Sequence, residues 1–277
     1  MMKATMVQRA VEGLTLLVAR ILNTIVVLVK KTHISTTSAS LPSVPSCWSS
    51  SSSEEEEDDD NGYGLSWRLA VEANNVGPWR TVPTRCYRHV QSYIMGGQYQ
   101  NDVQLIADQI LSYALHIPLS SDGLDAWVFD VDDTCISNIN YYKAQGFGCD
   151  PFDSGKFKEW IMKGSCPAIP SILGVFKKLI ERGFKVFLLT GRDQATLGHI
   201  TILNLHSQGF IGYHRLILRR GEYKGESASK YKSEKRKEIE AEGYRIWGNV
   251  GDQWSDLQGY SQGKRSFKLP NPMYFIR

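Results

Sequence analysis

The chain has 277 residues, 42% hydrophobic and 22% charged, with a formal net charge of +3, which fits one ordinary soluble domain plus extra sequence at an end. Residues 1–61 hold five Lys/Arg against eight Asp/Glu, so the positive excess lies wholly downstream. It would suit an anionic substrate but is not the dense Lys/Arg stripe of a nucleic-acid binder, so nucleic acid is excluded as a partner.

The N-terminus mixes Lys3 and Arg9 with the apolar stretch Leu14–Val29, which is broken by Arg20 and Asn23 and followed by Lys30-Lys31. Sixteen helical residues span about 24 Å, short for a hydrocarbon core of about 30 Å. Ile21–Val29 fits the apolar region of a signal peptide, and Thr37-Ser38-Ala39 offers a cleavage site after it. Residues 1–39 therefore read as a signal peptide, giving a secreted or vacuolar protein that starts near Ser40. The flanking lysines favour the alternative, a retained membrane anchor over residues 14–29. An amphipathic helix is the third reading. Residues 40–61 carry Ser49–Ser53, Glu54–Glu57 and Asp58–Asp60 and read as a disordered Ser/acidic linker, since such a run buries no apolar surface.

From residue 62 the composition becomes that of a folded domain, 62–277. Trp67, Trp79 and a helical pattern over Val103–Leu115, closed by Pro118, lead into alternating elements. Strands are expected at Ala126–Phe129, Lys185–Leu189, Leu216–Leu218, Arg245–Trp247 and Phe267–Leu269. Helices are expected at Ile172–Arg182, Gln194–Gln208 and Lys232–Glu242, with Gly183, Gly209 and Gly243 as stops. That alternation argues for an α/β fold, a Rossmann-like open parallel sheet flanked by helices. None of the five cysteines forms a CxxC pair, which argues against structural zinc. Cys149 and Cys166 would pair in an oxidising compartment; the alternative is that all five are idle thiols.

In an open parallel sheet, reactive groups collect at the carboxyl ends of strands. After the first expected strand come Asp130-Val131-Asp132-Asp133-Thr134. The Asp-x-Asp spacing returns a second carboxylate to the side of the first. One can attack phosphorus while the other handles the leaving-group proton, and together they attract a hard cation such as Mg2+. Thr190-Gly191-Arg192-Asp193 follows the second strand, where a hydroxyl and amides can hold phosphate oxygens, unless Thr190 or Asp193 is a plain helix cap. Lys230 and Lys232 open the charged helix, and a lysine there would neutralise phosphoryl charge. Asp252 and Asp256, after the fourth strand, would complete a magnesium site.

Those four motifs in this order resemble the haloacid dehalogenase (HAD) superfamily of phosphatases. Ser66–Asn75, Val131–Asn138, Gly251–Leu257 and Phe267–Tyr274 resemble one branch of it, the plant acid phosphatases and vegetative storage proteins. The resemblance spans about residues 63–277 and leaves out the acidic linker. It implies a haloacid dehalogenase-like sheet with a small cap or loop over the site at Tyr141–Ala168, and an Mg2+-dependent acid phosphatase acting on small phosphate monoesters. Asp130 would be nucleophile and metal ligand, and Asp132 general acid/base with its main-chain carbonyl on the metal. Thr190, Gly191 and Arg192 would bind substrate, and Lys232 rather than Lys230 would be the catalytic lysine. Asp252 and Asp256 would complete the metal set. The rival readings are a vegetative storage protein with little or no catalytic role, and a phosphate-binding or tethered partner module. A second copy of the chain, as a homodimer, is the macromolecular partner left open.

Overall fold

The computed structural model describes the backbone of residues 52–277, with side chains from Asp60 onward. The expected leader over residues 1–39, with its alternative anchor at 14–29, lies outside these residues. So do residues 40–51 of the expected linker. Among the described residues, no helix is long and apolar enough to cross a membrane. The rest of the linker departs from expectation: helix α1 runs Ser52–Glu72, straight through the acidic run. Glutamate is a good helix former, so the acidic run does not oppose a helical backbone. The second half of α1 anchors it. Trp67 and Val71 are buried, and Trp67 meets Trp79 edge-on at 5.1 Å.

After α1 come α2 (Tyr87–Met95) and α3 (Gln98–Leu115), then β1 (Asp125–Phe129) and the short helices α4 (Ile139–Ala144) and α5 (Ser154–Met162). These two form the expected cap. The chain continues with α6 (Pro170–Glu181), β2 (Lys185–Asp193), α7 (Gln194–Ser207), β3 (Arg215–Arg219), α8 (Ala228–Ala241), β4 (Arg245–Gly251), α9 (Trp254–Leu257) and β5 (Arg265–Lys268). The charged helix starts four residues before Lys232 because Ser227 caps it, its side chain accepting from the Lys230 amide at 3.2 Å.

The strands form one parallel sheet in the order β3-β2-β1-β4-β5. All five residues of central β1 are buried, as befits a parallel strand covered on both faces. Its side chains alternate between two cores. Trp127 and Phe129 join Val186 and Leu188 against Ile110 and Ala114 of α3, Val175 and Leu179 of α6 and Leu205 of α7. Ala126 and Val128 join Phe187 and Leu189 against Tyr231 and Ile239 of α8. The chain leaves β1 towards β2 and β3, then returns on the other side to β4 and β5. That reversal opens a crevice at the carboxyl ends of β1 and β4.

Candidate active site

Asp130 is locked at the sheet's carboxyl edge, because its amide extends the ladder by donating to Val250 O at 2.9 Å. The chain then folds back: Cys135 N and Ile136 N both donate to Val131 O at 3.0 Å, and Asp133 N donates to Ile136 O at 2.7 Å. Asp133 sits at φ +53°, a left-handed conformation that a short acceptor side chain tolerates. Its carboxylate accepts from Asn138 N at 2.8 Å and from Tyr274 OH at 2.8 Å. Val131 is buried by this turn, while Asp130 and Asp132 both line one cavity of about 420 Å³.

The two carboxylates have different electrostatic partners. Asp132 faces Arg192, whose Nη2 and Nε donate to it at 2.7 and 3.0 Å, and it accepts from Asn138 Nδ2 at 2.9 Å. The Arg192 side chain is 2% exposed. Burial opposes ionisation of Asp132, but the guanidinium outweighs it and holds the carboxyl below its ordinary value. Thr190 is fully buried, its hydroxyl donating to Asp132 Oδ2 at 3.4 Å and accepting from Arg192 N at 3.1 Å.

Asp130 instead faces Lys232, whose ammonium bonds both Asp130 and, at 2.5 Å, Asp256 Oδ1. Burial disfavours the charged lysine, but Asp130 and Asp256 outweigh it and keep it protonated. Burial also pushes Asp130 up, with Lys232 pulling the other way and Asp256 and Asp252 adding to the rise. Among the described residues, Asp252 has no cation at hydrogen-bond distance. Its Oδ2 accepts from Asn271 Nδ2 at 2.6 Å, Gln253 Nε2 at 2.9 Å and Tyr274 OH at 3.1 Å, and burial raises it to about 6. The ligand atoms of Asp130, Asp252 and Asp256 lie within 4.8 Å of one another. Three buried carboxylates against one ammonium leave two negative charges over, and an all-oxygen donor set of that charge fits a hard divalent cation. Arg236, one turn past Lys232, holds the far side of this loop. It donates to the carbonyls of Asp256 and Gln258, each at 2.5 Å, and of Ser261 at 3.0 Å.

The cavity is also lined by cap residues Tyr142, Phe152, Phe157 and Ile161, and by Leu197, Tyr274 and Ile276. Tyr142 stacks on Tyr274 at 4.6 Å with 12° between planes.

The structure thus brings Asp130, Asp132, Gly191, Arg192, Lys232, Asp252 and Asp256 to one cavity, with Thr190 buried behind it. Lys230 points away and pairs with Glu226 at 3.0 Å. Asp193 caps α7, accepting from Thr196 N at 2.8 Å. Arg192, expected on the substrate, spends its guanidinium on Asp132. Cys149 and Cys166 are both free thiols; Cys166 is buried, with its sulfur 3.9 Å from Arg192 Nη2. Sequence reasoning had assigned no role to Asn138, Gln253, Asn271 or Tyr274. All four lie in or beside segments that carried the family resemblance, which was the available signal.

A family model described as HAD superfamily, subfamily IIIB (Acid phosphatase) matches residues 49–277. Acid phosphatase 1 of Solanum lycopersicum is 45% identical over 76% of this chain and 82% of its own length. Vegetative storage protein 2 of Arabidopsis thaliana is 36% identical over 76% and 79%. Among solved structures, a class C acid phosphatase from Bacillus anthracis with tungstate bound superposes with a TM-score of 0.53 at 21% identity, covering 67% of this chain and 83% of that one. That structure supports the fold.

Proposed function

The chain belongs to subfamily IIIB of the HAD superfamily, the acid phosphatases, and on that premise we propose that it hydrolyses phosphate monoesters through an aspartyl-phosphate formed on Asp130, with Mg2+ as cofactor. One observation carries the reading. Two carboxylates two residues apart line the same cavity with different partners, Asp130 on Lys232 and Asp132 on Arg192. Such a division suits one nucleophile and one proton carrier.

Asp130, Asp252 and Asp256 would hold the metal, with the Asp132 main-chain carbonyl. Bound there, Mg2+ would offset the repulsion between the Asp130 carboxylate and a phosphate dianion. Lys232 adds its own positive charge at the attacking oxygen. Gly191 lines the cavity where the phosphoryl oxygens would sit, and one of them would replace Thr190's long bond to Asp132. Asp130 attacks phosphorus as Asp132, protonated once the anionic substrate sits beside it, gives its proton to the departing alcohol oxygen. Asp132 then takes a proton from water as that water attacks the aspartyl-phosphate, releasing inorganic phosphate and restoring Asp130. Arg192 binds no substrate in this scheme; it orients Asp132.

A chromogenic phosphate ester tests the scheme. EDTA should abolish turnover and Mg2+ restore it. Asp130→Asn should cut kcat by at least about a thousandfold, and an acyl-phosphate should be trapped on the wild type alone. Near-normal turnover by the variant would overturn the nucleophile assignment. A storage role without catalysis requires no intact site, whereas Asp130, Asp132, Lys232, Asp252 and Asp256 all converge here. On Ile21–Val29 and Thr37–Ala39 we place the protein in the secreted or vacuolar route. N-terminal sequencing should find a start near Ser40, and an intact Met1 in an alkali-resistant membrane fraction would reject that.

A further inference from the structure

The segment Ser66–Asn75 carried the family resemblance, yet nothing in the scheme above uses it. Its helix α1 ends at Glu72, about whose exposed neighbours the catalytic chemistry says nothing. Glu72 nevertheless makes three bonds to residues beyond residue 250. Its Oε1 accepts from the Asn271 amide at 2.7 Å, and its Oε2 from Lys268 Nζ at 2.8 Å. Its main-chain carbonyl accepts from Trp254 Nε1 at 3.1 Å. Trp254 is the first residue of α9, the turn that carries Asp256.

Asn271 in turn is pinned at every polar group that matters. Its main-chain N–H goes to Glu72, and its Oδ1 accepts from Met273 N at 3.0 Å. Those two bonds fix which way the amide faces, and its Nδ2 donates to Asp252 Oδ2 at 2.6 Å. With three donors on Oδ2, Oδ1, which accepts one long bond from Thr134 Oγ1 at 3.3 Å, is the oxygen with lone pairs to spare. Asn271 is 2% exposed, so water does not take over the bond if it is lost.

We propose that Glu72 is a positioning residue for the metal-binding carboxylate Asp252, acting through Asn271. The helix outside the α/β core thereby sets the affinity of the site for its cation. The inference rests on the metal reading given above. Outer partners of metal ligands are worth about 10–100-fold in metal affinity, and that is the scale expected here.

The test measures, on the full chain, the Mg2+ concentration that gives half of the Mg2+-induced rise in melting temperature, alongside that giving half-maximal hydrolysis of p-nitrophenyl phosphate. Glu72→Ala should raise both midpoints about 10–100-fold, with KM for the ester unchanged at saturating Mg2+. Glu72→Gln keeps an oxygen for the Asn271 amide and should restore the midpoints to within about threefold of wild type. Lys268→Met, which removes the ion pair and a bond to Leu269 O and takes a positive charge from the surroundings of Asp252, should not raise them. Asn271→Ser deletes the last link, stays clear of the α1 junction, and should reproduce the shift even where Glu72→Ala fails to fold. The double variant should be no worse than the worse single, because the two residues act in series. A lower melting temperature with wild-type Mg2+ midpoints in both single variants would overturn the positioning role while leaving the metal reading intact. A wild type indifferent to Mg2+ in both readouts would overturn both.

Discussion

Arg192 is the residue whose placement most changes the expected chemistry. A guanidinium bonded in fork fashion to Asp132 both aims the carboxylate and stabilises its charged form. In the proposed scheme Asp132 must carry a proton to release the alcohol, so activity should fall as pH rises through its pKa, with Arg192 setting where that happens. Arg192→Met should move the basic limb of kcat/KM to higher pH and lower kcat about 10–100-fold through lost aim. A pH–rate profile with an unmoved basic limb would show that Arg192 acts elsewhere. Asp252→Ala should weaken Mg2+ binding and cut activity with the fold retained, readable by titration calorimetry and far-ultraviolet circular dichroism. The carboxylates at the site were legible beforehand because each follows a strand that an apolar run announces. Lys232 could be told from Lys230 only by resemblance, since both sit at the start of one charged helix. The Arg192–Asp132 pair was illegible: it spans 60 residues and exists only once β1 and β2 lie side by side.

Among the elements, strand β4 carries a sharp packing constraint. Its register against β1 slips by one residue after Ala126, so that Trp127 faces Gly248. A Cβ at Gly248 would meet the Trp127 ring at 2.0 Å. Trp127 is also wedged between Phe267 and Phe184 and has nowhere to go, so Gly248→Ala should cost about 3 kcal/mol or more in urea unfolding. At the other end of the same strands, Asp125 accepts from Arg245 Nε at 2.9 Å and Trp247 Nε1 at 2.7 Å. Burial opposes the Asp125 carboxylate, but these donors outweigh it and hold its pKa below the ordinary 3.8. The folded state thus keeps this group ionised where the unfolded chain has begun to take up the proton. Its stabilisation is present above about pH 4 and is lost as pH falls through the folded value. Asp125→Asn should therefore flatten the loss of stability below about pH 4, followed by denaturant midpoints; a slope like the wild type's would remove Asp125 from the account. Central strands and glycine-stopped helices were legible because burial and period write them directly into the sequence. The helix α1 was not, because its acidic half looks unfoldable by composition and is held by its apolar half. The cap helices were missed for a different reason: six and nine residues are too few for a helical period to show.

At the scale of the whole molecule, connectivity brings together groups far apart along the chain. Lys232 meets Asp130 across 102 residues, and Thr134 meets Asp252 across 118. The site therefore exists only when the entire sheet does, and a partly assembled chain should bind no Mg2+. The sheet order has a further consequence for birth of the chain on the ribosome. Central β1 is made early, yet one of its two flanking strands, β4, begins 120 residues later, at Arg245. Until then an apolar edge with Trp127, Val128 and Phe129 stands open to neighbouring chains, a hazard of slow parallel pairing. Nascent chains stalled before residue 245 should stay sensitive to a pulse of protease, and those released at full length should become resistant together across the sheet rather than strand by strand. Early resistance of the first half alone would show that β1, β2 and β3 fold without their partner. Otherwise a holdase chaperone has a defined window in which to act, opening when β1 leaves the exit tunnel and closing when β4 does.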